Sequence, residues 1–385
     1  MIRNTALNRI FLKTLNVALV PLFCILKCFK VNSNKPFQPK KILFIEIWGI
    51  GDLIMGGSAF RRMKEAVPDA KIFLLSKEFA REVFKEEYFI DKYFLYDFPW
   101  TKFKGKYAFW KWDWKGLFKL IRRLRNEKFD LILDARGDIR NNLLIFMIRA
   151  KRSLGYDWTG GGYLLTDPIR IKNDGIHRTD AWDNLLERVG VDNCIGDFKL
   201  TVSDEEKEWA RNLLDIKGFR KDDLLVGVHP GARTKTRRWP LERFTAITEY
   251  LIGKDGVRPV VFIEPDDYGE EISAKIRCVK LKLTLRQFIV ITSSLKLLVC
   301  NDGGAMHIAA ALGVPVIAIF GPTNPVWFGP KGDGHKIFIK DGIKCRPCFD
   351  YCKFEMPLCL TGILVSDVKK EIDAKLAILN KNRNV

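Results

Sequence analysis

Residues 295–325 read LKLLVCNDGGAMHIAAALGVPVIAIFGPTNP, and much of the architecture can be read from them. The run LKLLVCND is almost wholly apolar until it ends at Asp302. Two glycines follow, then the small residues AMHIAAAL, a stop at Gly313, and a second apolar run, PVIAIFGP. An apolar run, a helix and another apolar run describe two parallel strands joined by a crossover and covered on both faces. Gly303 and Gly304 let backbone come close to a ligand at the start of that helix. The free amides and positive dipole end there suit a diphosphate. Packing explains the alanines and Gly313; it does not explain Asp302-Gly303-Gly304-Ala305-Met306-His307 as a whole.

The same pattern extends in both directions. DLLVGVHPGA (223–232) and RPVVFIE (258–264) precede this stretch as strand-like runs separated by helical ones. Much earlier come KKILFIEIW (40–48), AKIFLLS (70–76) and FDLILDAR (129–136), the last read as a third strand. The pattern restarts after the charged segment SDEEKEWARNLLDIKGFRKDD (203–223), so two similar α/β units are expected, joined near residue 215 and facing a cleft. The expected division is residues 1–38 as an N-terminal segment, 39–215 and 216–362 as two Rossmann-like domains, and 363–385 as a docking helix. In that last helix Ser366 or Asp367 is the expected cap, and Val368, Ile372, Leu376 and Leu379 share one face. Ligands of such sheets bind at the carboxyl ends of the strands, where the glycine-rich turns fall.

Three turns carry candidate chemistry. Gly49-Ile50-Gly51-Asp52 lacks the third glycine of a dinucleotide fingerprint and the Gly-Lys-Ser/Thr of a P-loop. It offers a carboxylate, Asp52, that either caps its helix or takes a proton from an attacking hydroxyl. His229-Pro230-Gly231-Ala232 runs into Arg233, Lys235, Arg237 and Arg238, four cations suited to a diphosphate or simply to solvent. Asp302 to His307 is the third. Glu264, ending its strand, can bond a ribose, although a surface carboxylate is the commoner case. No Asp-x-Asp pair occurs near these turns, so no bridging metal is expected.

Composition adds partners. The 385 residues hold 65 Lys and Arg against 46 Asp and Glu, a net charge of +19, which favours anionic partners. Residues 14–26, TLNVALVPLFCIL, are apolar, too short to span a bilayer, interrupted by Pro21 and ringed by cations. They suit a helix lying in an anionic membrane interface or packed on the body. Residues 98–118, FPWTKFKGKYAFWKWDWKGLF, interleave aromatics and lysines, as a membrane-interface segment, a base-stacking surface or an aromatic-rich insertion would. The cysteine count, nine, is odd, and Cys345, Cys348, Cys352 and Cys359 crowd together. Four thiolates there can hold zinc or be reduced or partly disulfide-linked structural cysteines, and no metal is assigned.

The string NDGGAMHIAAALGVP…FGPT, the segment HPGA…RRWP and the early GIGD turn together resemble glycosyltransferase family 9, the lipopolysaccharide heptosyltransferases. LILDARGDIRNNLLIFMIRAKRSLGY (131–156) is similar to the same family, and the likeness spans roughly residues 40 to 370. The resemblance implies a GT-B fold and an inverting, metal-independent transfer without cofactor. It implies an ADP-sugar donor, a lipid-linked saccharide acceptor, and Asp52 as catalytic base. His229, Gly231, Arg233, Lys235, Arg237, Arg238, Glu264, Asp302, Gly303, Gly304, Met306 and His307 are then expected on the donor side, with Gly51 and Arg136 on the acceptor side. Two positions depart from the family. Arg237-Arg238 stands where a lysine and a basic or histidine residue are usual, and Gly303 replaces a threonine whose hydroxyl can bond the diphosphate. The implied location is cytoplasmic, peripheral on the inner face of the membrane, with no nucleic-acid partner. A GT-B nucleotide-sugar epimerase and a non-enzymatic nucleic-acid-binding protein are the alternative readings; the latter lacks any zinc-finger, helix-turn-helix or RNP signature.

Overall fold

The computed structural model describes residues 38–381 apart from 103–107, 172–174, 192–197, 276–277 and 349–351, together with Thr14. The N-terminal segment expected over 1–38 lies outside them, save for Thr14 and Gln38. The chain divides into two compact units, residues 1–81 with 87–196, and residues 82–86 with 197–385. The helix Asp204–Ile216 therefore groups with the second unit. Its start is set by a reciprocal cap, in which Ser203 accepts from the Glu206 amide and Glu206 accepts from the Ser203 amide.

The first unit is built on six parallel strands: β1 (Lys41–Ile45), β2 (Lys71–Ser76), β3 (Lys92–Leu95), β4 (Leu131–Asp134), β5 (Arg152–Tyr156) and β6 (Asp167–Ile169). Their spatial order is β3-β2-β1-β4-β5-β6, so the order reverses between β1 and β4. FDLILDAR thus forms the fourth strand, not the third, because the short edge strand β3 precedes it. The edge was hidden in sequence: KYFL is four residues long and begins with an exposed lysine, as edges that must resist pairing often do. The helix Ile50–Ala66 packs on this sheet through an aromatic cluster, with Phe60 tilted 4.6 Å from Phe44 and edge-on to Trp182 at 5.3 Å.

The second unit repeats the plan with β7 (Leu224–His229), β8 (Val257–Ile263), β9 (Val279–Lys282), β10 (Leu297–Asn301), β11 (Val316–Phe320) and β12 (Lys336–Ile339). These six parallel strands lie in the order β12-β11-β10-β7-β8-β9. Both units are therefore doubly wound α/β sheets, the two Rossmann-like halves of a GT-B chain. The register pairs Cys300 with His229 and Asn301 with Ile319, which brings the ends of β7, β10 and β11 to one edge. The core beneath that edge includes Val226, Val228, Trp239, Phe244, Val299 and Ile319, each fully buried. At about 1.5–3 kcal/mol for each large apolar side chain, this core holds the edge rigid.

The C-terminal helix runs Val365–Lys381 and buries Val368, Ile372 and Leu376, with Leu379 packed at the margin, as its spacing predicts. It begins before Ser366, so Ser366 and Asp367 lie within its first turn and do not cap it. Among the described residues no helix is long and apolar enough to cross a membrane.

Candidate functional site

In the first unit the loops after β1 and β4 meet where the strand order reverses. Asp52 sits in the first turn of the helix Ile50–Ala66, whose N-cap is Gly49. Gly51 lies in that same turn. Asp52 Oδ1 accepts a hydrogen bond from Arg136 Nη1 at 3.0 Å. The Arg136 guanidinium lies over the Trp48 ring, 4.2 Å from its centre. Its own backbone is anchored by Asp134, whose Oδ2 accepts from the amides of Arg136 at 3.2 Å and Gly137 at 3.3 Å. Asn141 donates to the other Asp134 oxygen at 2.8 Å. Asp52 thus faces a cation held from two sides.

Two carboxyls behind this pair are fully enclosed. Burial pushes Asp134 up to about 7, against the hydrogen bonds that favour its charged form. Burial also pushes Glu46 well above the carboxylate range; the Asp52 charge adds to the shift and Arg136 opposes it. Nearby Arg178 is 4% exposed and lies 4.8 Å over the Trp158 ring. Burial first, then the Arg136 charge, lowers Arg178 to about 10. Sequence reasoning named Asp52, Gly51 and Arg136 but passed over Glu46, Trp48, Asp134 and Arg178. The available signal was acidic residues ending FIE and LILD at adjacent strands.

In the second unit the candidate donor residues gather at the carboxyl edge of β7, β8, β10 and β11. His229 ends β7, with its ring 5.3 Å from Phe288 and its Nε2 3.6 Å from Glu264 Oε1. Burial holds the imidazole below its ordinary value, while the Glu264 charge pulls the other way. Gly231 is where Glu264 meets the turn: a Cβ on Gly231 would fall 1.7 Å from Glu264 Oε1. Only a residue without a side chain admits the carboxylate there.

Asn301 ties that turn to the sheet. Its Nδ2 donates to Pro230 O at 2.7 Å and Gly231 O at 3.3 Å, and its Oδ1 accepts from the Trp239 amide at 2.9 Å. Asp302, 2% exposed, accepts from Arg237 Nη1 at 3.2 Å and from Thr323 Oγ1 at 2.5 Å. Arg237 and Arg238 are half-buried, whereas Arg233 and Lys235 are exposed. Arg238 donates through Nε to Ala232 O at 2.9 Å and lies 4.0 Å over the Tyr268 ring. Gly303 is the N-cap of the helix Gly304–Ala311 and makes no side-chain cap; a Cβ there would meet nothing within 4 Å. Met306 and His307, by contrast, are 0% and 5% exposed on the inner side of that helix. Asn301 and Thr323 are the donor-edge residues not singled out from sequence, because an amide or hydroxyl near a turn carries no pattern of its own.

The cysteine cluster belongs to the second unit. Cys345, Cys348 and Cys352 are half-buried, and Cys359 is buried. Burial pushes the Cys359 thiol up. Among the described residues no group of three or more His, Cys, Asp or Glu side chains is arranged to hold a metal ion. Between these cysteines Arg346 donates to Thr323 O at 2.8 Å, so the segment braces the Asp302 turn.

The profile described as "Glycosyltransferase family 9 (heptosyltransferase)" matches residues 117–358. The chain is similar to lipopolysaccharide heptosyltransferase 1 of Pseudomonas aeruginosa, 31% identical over 69% of this chain and 78% of that protein. It is also similar to the lipopolysaccharide core heptosyltransferase OpsX of Haemophilus influenzae, 24% identical over 57% of this chain and 65% of that protein. Among solved structures, the E. coli ADP-heptose lps heptosyltransferase II superposes with a TM-score of 0.69 at 20% identity, covering 88% of this chain and 99% of that one.

Proposed function

The chain belongs to glycosyltransferase family 9, and from that premise we propose that it moves a heptose from an ADP-linked donor to a lipid-linked, lipopolysaccharide-type saccharide. The transfer inverts the anomeric carbon and uses no metal. The observation that carries this reading is the donor edge of the second unit, where Gly303 and Gly304 open a helix start beside Arg237 and Arg238, and Glu264 rests on the Gly231 backbone. That edge offers separate places for a diphosphate and a ribose.

The chemistry follows from the charges. The diphosphate lies on the amides at Gly303 and Gly304, and the cations of the Arg233 to Arg238 loop neutralise its growing charge as it leaves. Asp52 takes the proton of the acceptor hydroxyl while that oxygen bonds to the anomeric carbon and the bond to the diphosphate breaks. Arg136, 3.0 Å from Asp52 Oδ1, holds that carboxylate in position before the proton arrives. The excess of cations, +19 in all, fits work at an anionic membrane surface facing the cytoplasm.

The test is nucleotide selectivity followed by transfer. ADP should raise the melting temperature more than UDP, GDP or CDP, and Gly304→Trp should abolish that rise. Asp52→Asn should keep the ADP response and lose transfer from ADP-heptose. A preference for another nucleotide would replace the donor, and an Asp52→Asn enzyme as active as wild type would remove Asp52 from the mechanism.

A further inference from the structure

The helix Trp114–Asn126 has two sharply different faces. Leu117, Leu120, Ile121 and Leu124 are buried in the first unit's core. The opposite face is exposed and carries no acidic residue. Trp114 and Phe118 are one turn apart there, 41% and 53% exposed, with rings stacked at 6.1 Å. Arg122 and Arg125 continue the same ridge, and Lys115 and Lys119 run beside it. The preceding turn, Phe109–Lys111, adds Phe109 at 56% and Trp110 at 69% exposure. Trp114 Nε1 donates to Phe109 O at 2.8 Å, which locks the turn to the helix. The result is one contiguous aromatic patch on a rigid support, not a set of scattered side chains.

Its charge is equally one-sided. Lys111, Lys115, Lys119, Arg122 and Arg125 are exposed, and among the described residues none of them forms an ion pair. Asp113, the one carboxylate within residues 108–126, is exposed and caps the helix start, accepting from the Gly116 amide at 2.9 Å, against those five exposed cations on the same stretch. Four exposed aromatics in water are unfavourable for a monomer, and patches of this kind mark interaction surfaces. A second copy of the same face would bring like charges together. Indole rings at headgroup depth with lysine and arginine beside them match an anionic lipid surface.

We propose that this aromatic and basic face, Phe109 to Lys111 with the outer side of Trp114–Asn126, docks on the anionic headgroup layer of a bilayer. It rests on the reading of a lipid-linked acceptor and names the surface that brings the first unit to it. Aromatic rings enter the headgroup region and the cations meet lipid phosphates.

The experiment uses the full chain in vesicle co-sedimentation, with phosphatidylcholine alone or with one third phosphatidylglycerol. Wild type should partition onto the anionic vesicles, and less so at high salt. Each neutralised cation should weaken partitioning about fivefold, so Lys115→Gln, Lys119→Gln and Arg122→Gln together lower it about a hundredfold. Trp110→Ser with Phe118→Ser should lower it at least about tenfold. Both variants should keep the wild-type melting temperature and its ADP response, which separates failure of this surface from failure of the transferase reading. Unchanged partitioning of both folded variants would overturn the proposal. So would equal binding to neutral vesicles, tighter binding of a single-stranded oligonucleotide through the same residues, or a dimer that the variants dissociate without any vesicle binding by wild type.

Discussion

Gly231→Ala is the substitution whose consequence the geometry defines most narrowly. The new methyl would stand 1.7 Å from Glu264 Oε1, 2.4 Å from Cδ and 2.5 Å from Cγ. Restoring an ordinary separation of roughly 3.5 Å requires the carboxylate to retreat by about 2 Å. The backbone need not move, because the obstructing atoms are the far end of a flexible side chain. Glu264 is already a quarter exposed, so it can swing toward solvent, and the stability cost should stay within about 0.5 kcal/mol. That corresponds to a fall of about 1–2 °C in melting temperature. Nucleotide binding should suffer far more. If Glu264 bonds the ribose, its displacement removes a charged hydrogen bond worth about 1.5–3 kcal/mol, a weakening of roughly ten- to a hundredfold. Isothermal titration with ADP measures this directly. The double variant Gly231→Ala/Glu264→Ala should bind no worse than Glu264→Ala, since both changes remove the same contact. Wild-type affinity in Gly231→Ala, or full additivity in the double variant, would refute the reasoning.

Three other perturbations are as specific. Asn301→Ala leaves the buried Trp239 amide without its acceptor and two carbonyls without their donor, so urea unfolding should show a loss of about 3 kcal/mol; a loss below about 1 would mean the turn is held otherwise. Gly303→Ala places a methyl with nothing within 4 Å, so the melting temperature should hold while ADP binding weakens, and unaltered binding would move the diphosphate off this backbone. Asp134 has a folded value of about 7 against 3.8 unfolded, so its contribution is fully present below about pH 4 and is lost as pH rises through 7. Asp134→Asn should therefore gain on wild type by up to about 4 kcal/mol between pH 4 and 8, and parallel urea midpoints across that range would discount the burial effect.

All seven apolar runs read from sequence are strands, because a buried parallel strand must be apolar along its whole length. The glycine turns were equally legible, since backbone that must approach a ligand or a carboxylate excludes other residues. The edge strands β3, β6, β9 and β12 were not, because three or four residues with one solvated side leave too little pattern. The pairings were also out of reach. Arg237 meets Asp302 across 65 positions, Arg136 meets Asp52 across 84, and Asn301 reaches Pro230 across 71. Composition names the charges in each loop, but which charge faces which is set by strand order. That order reverses beside β1 and beside β7. The raised carboxyls of Glu46 and Asp134 follow from the same cause, because burial is a property of the assembled sheet and of no residue alone.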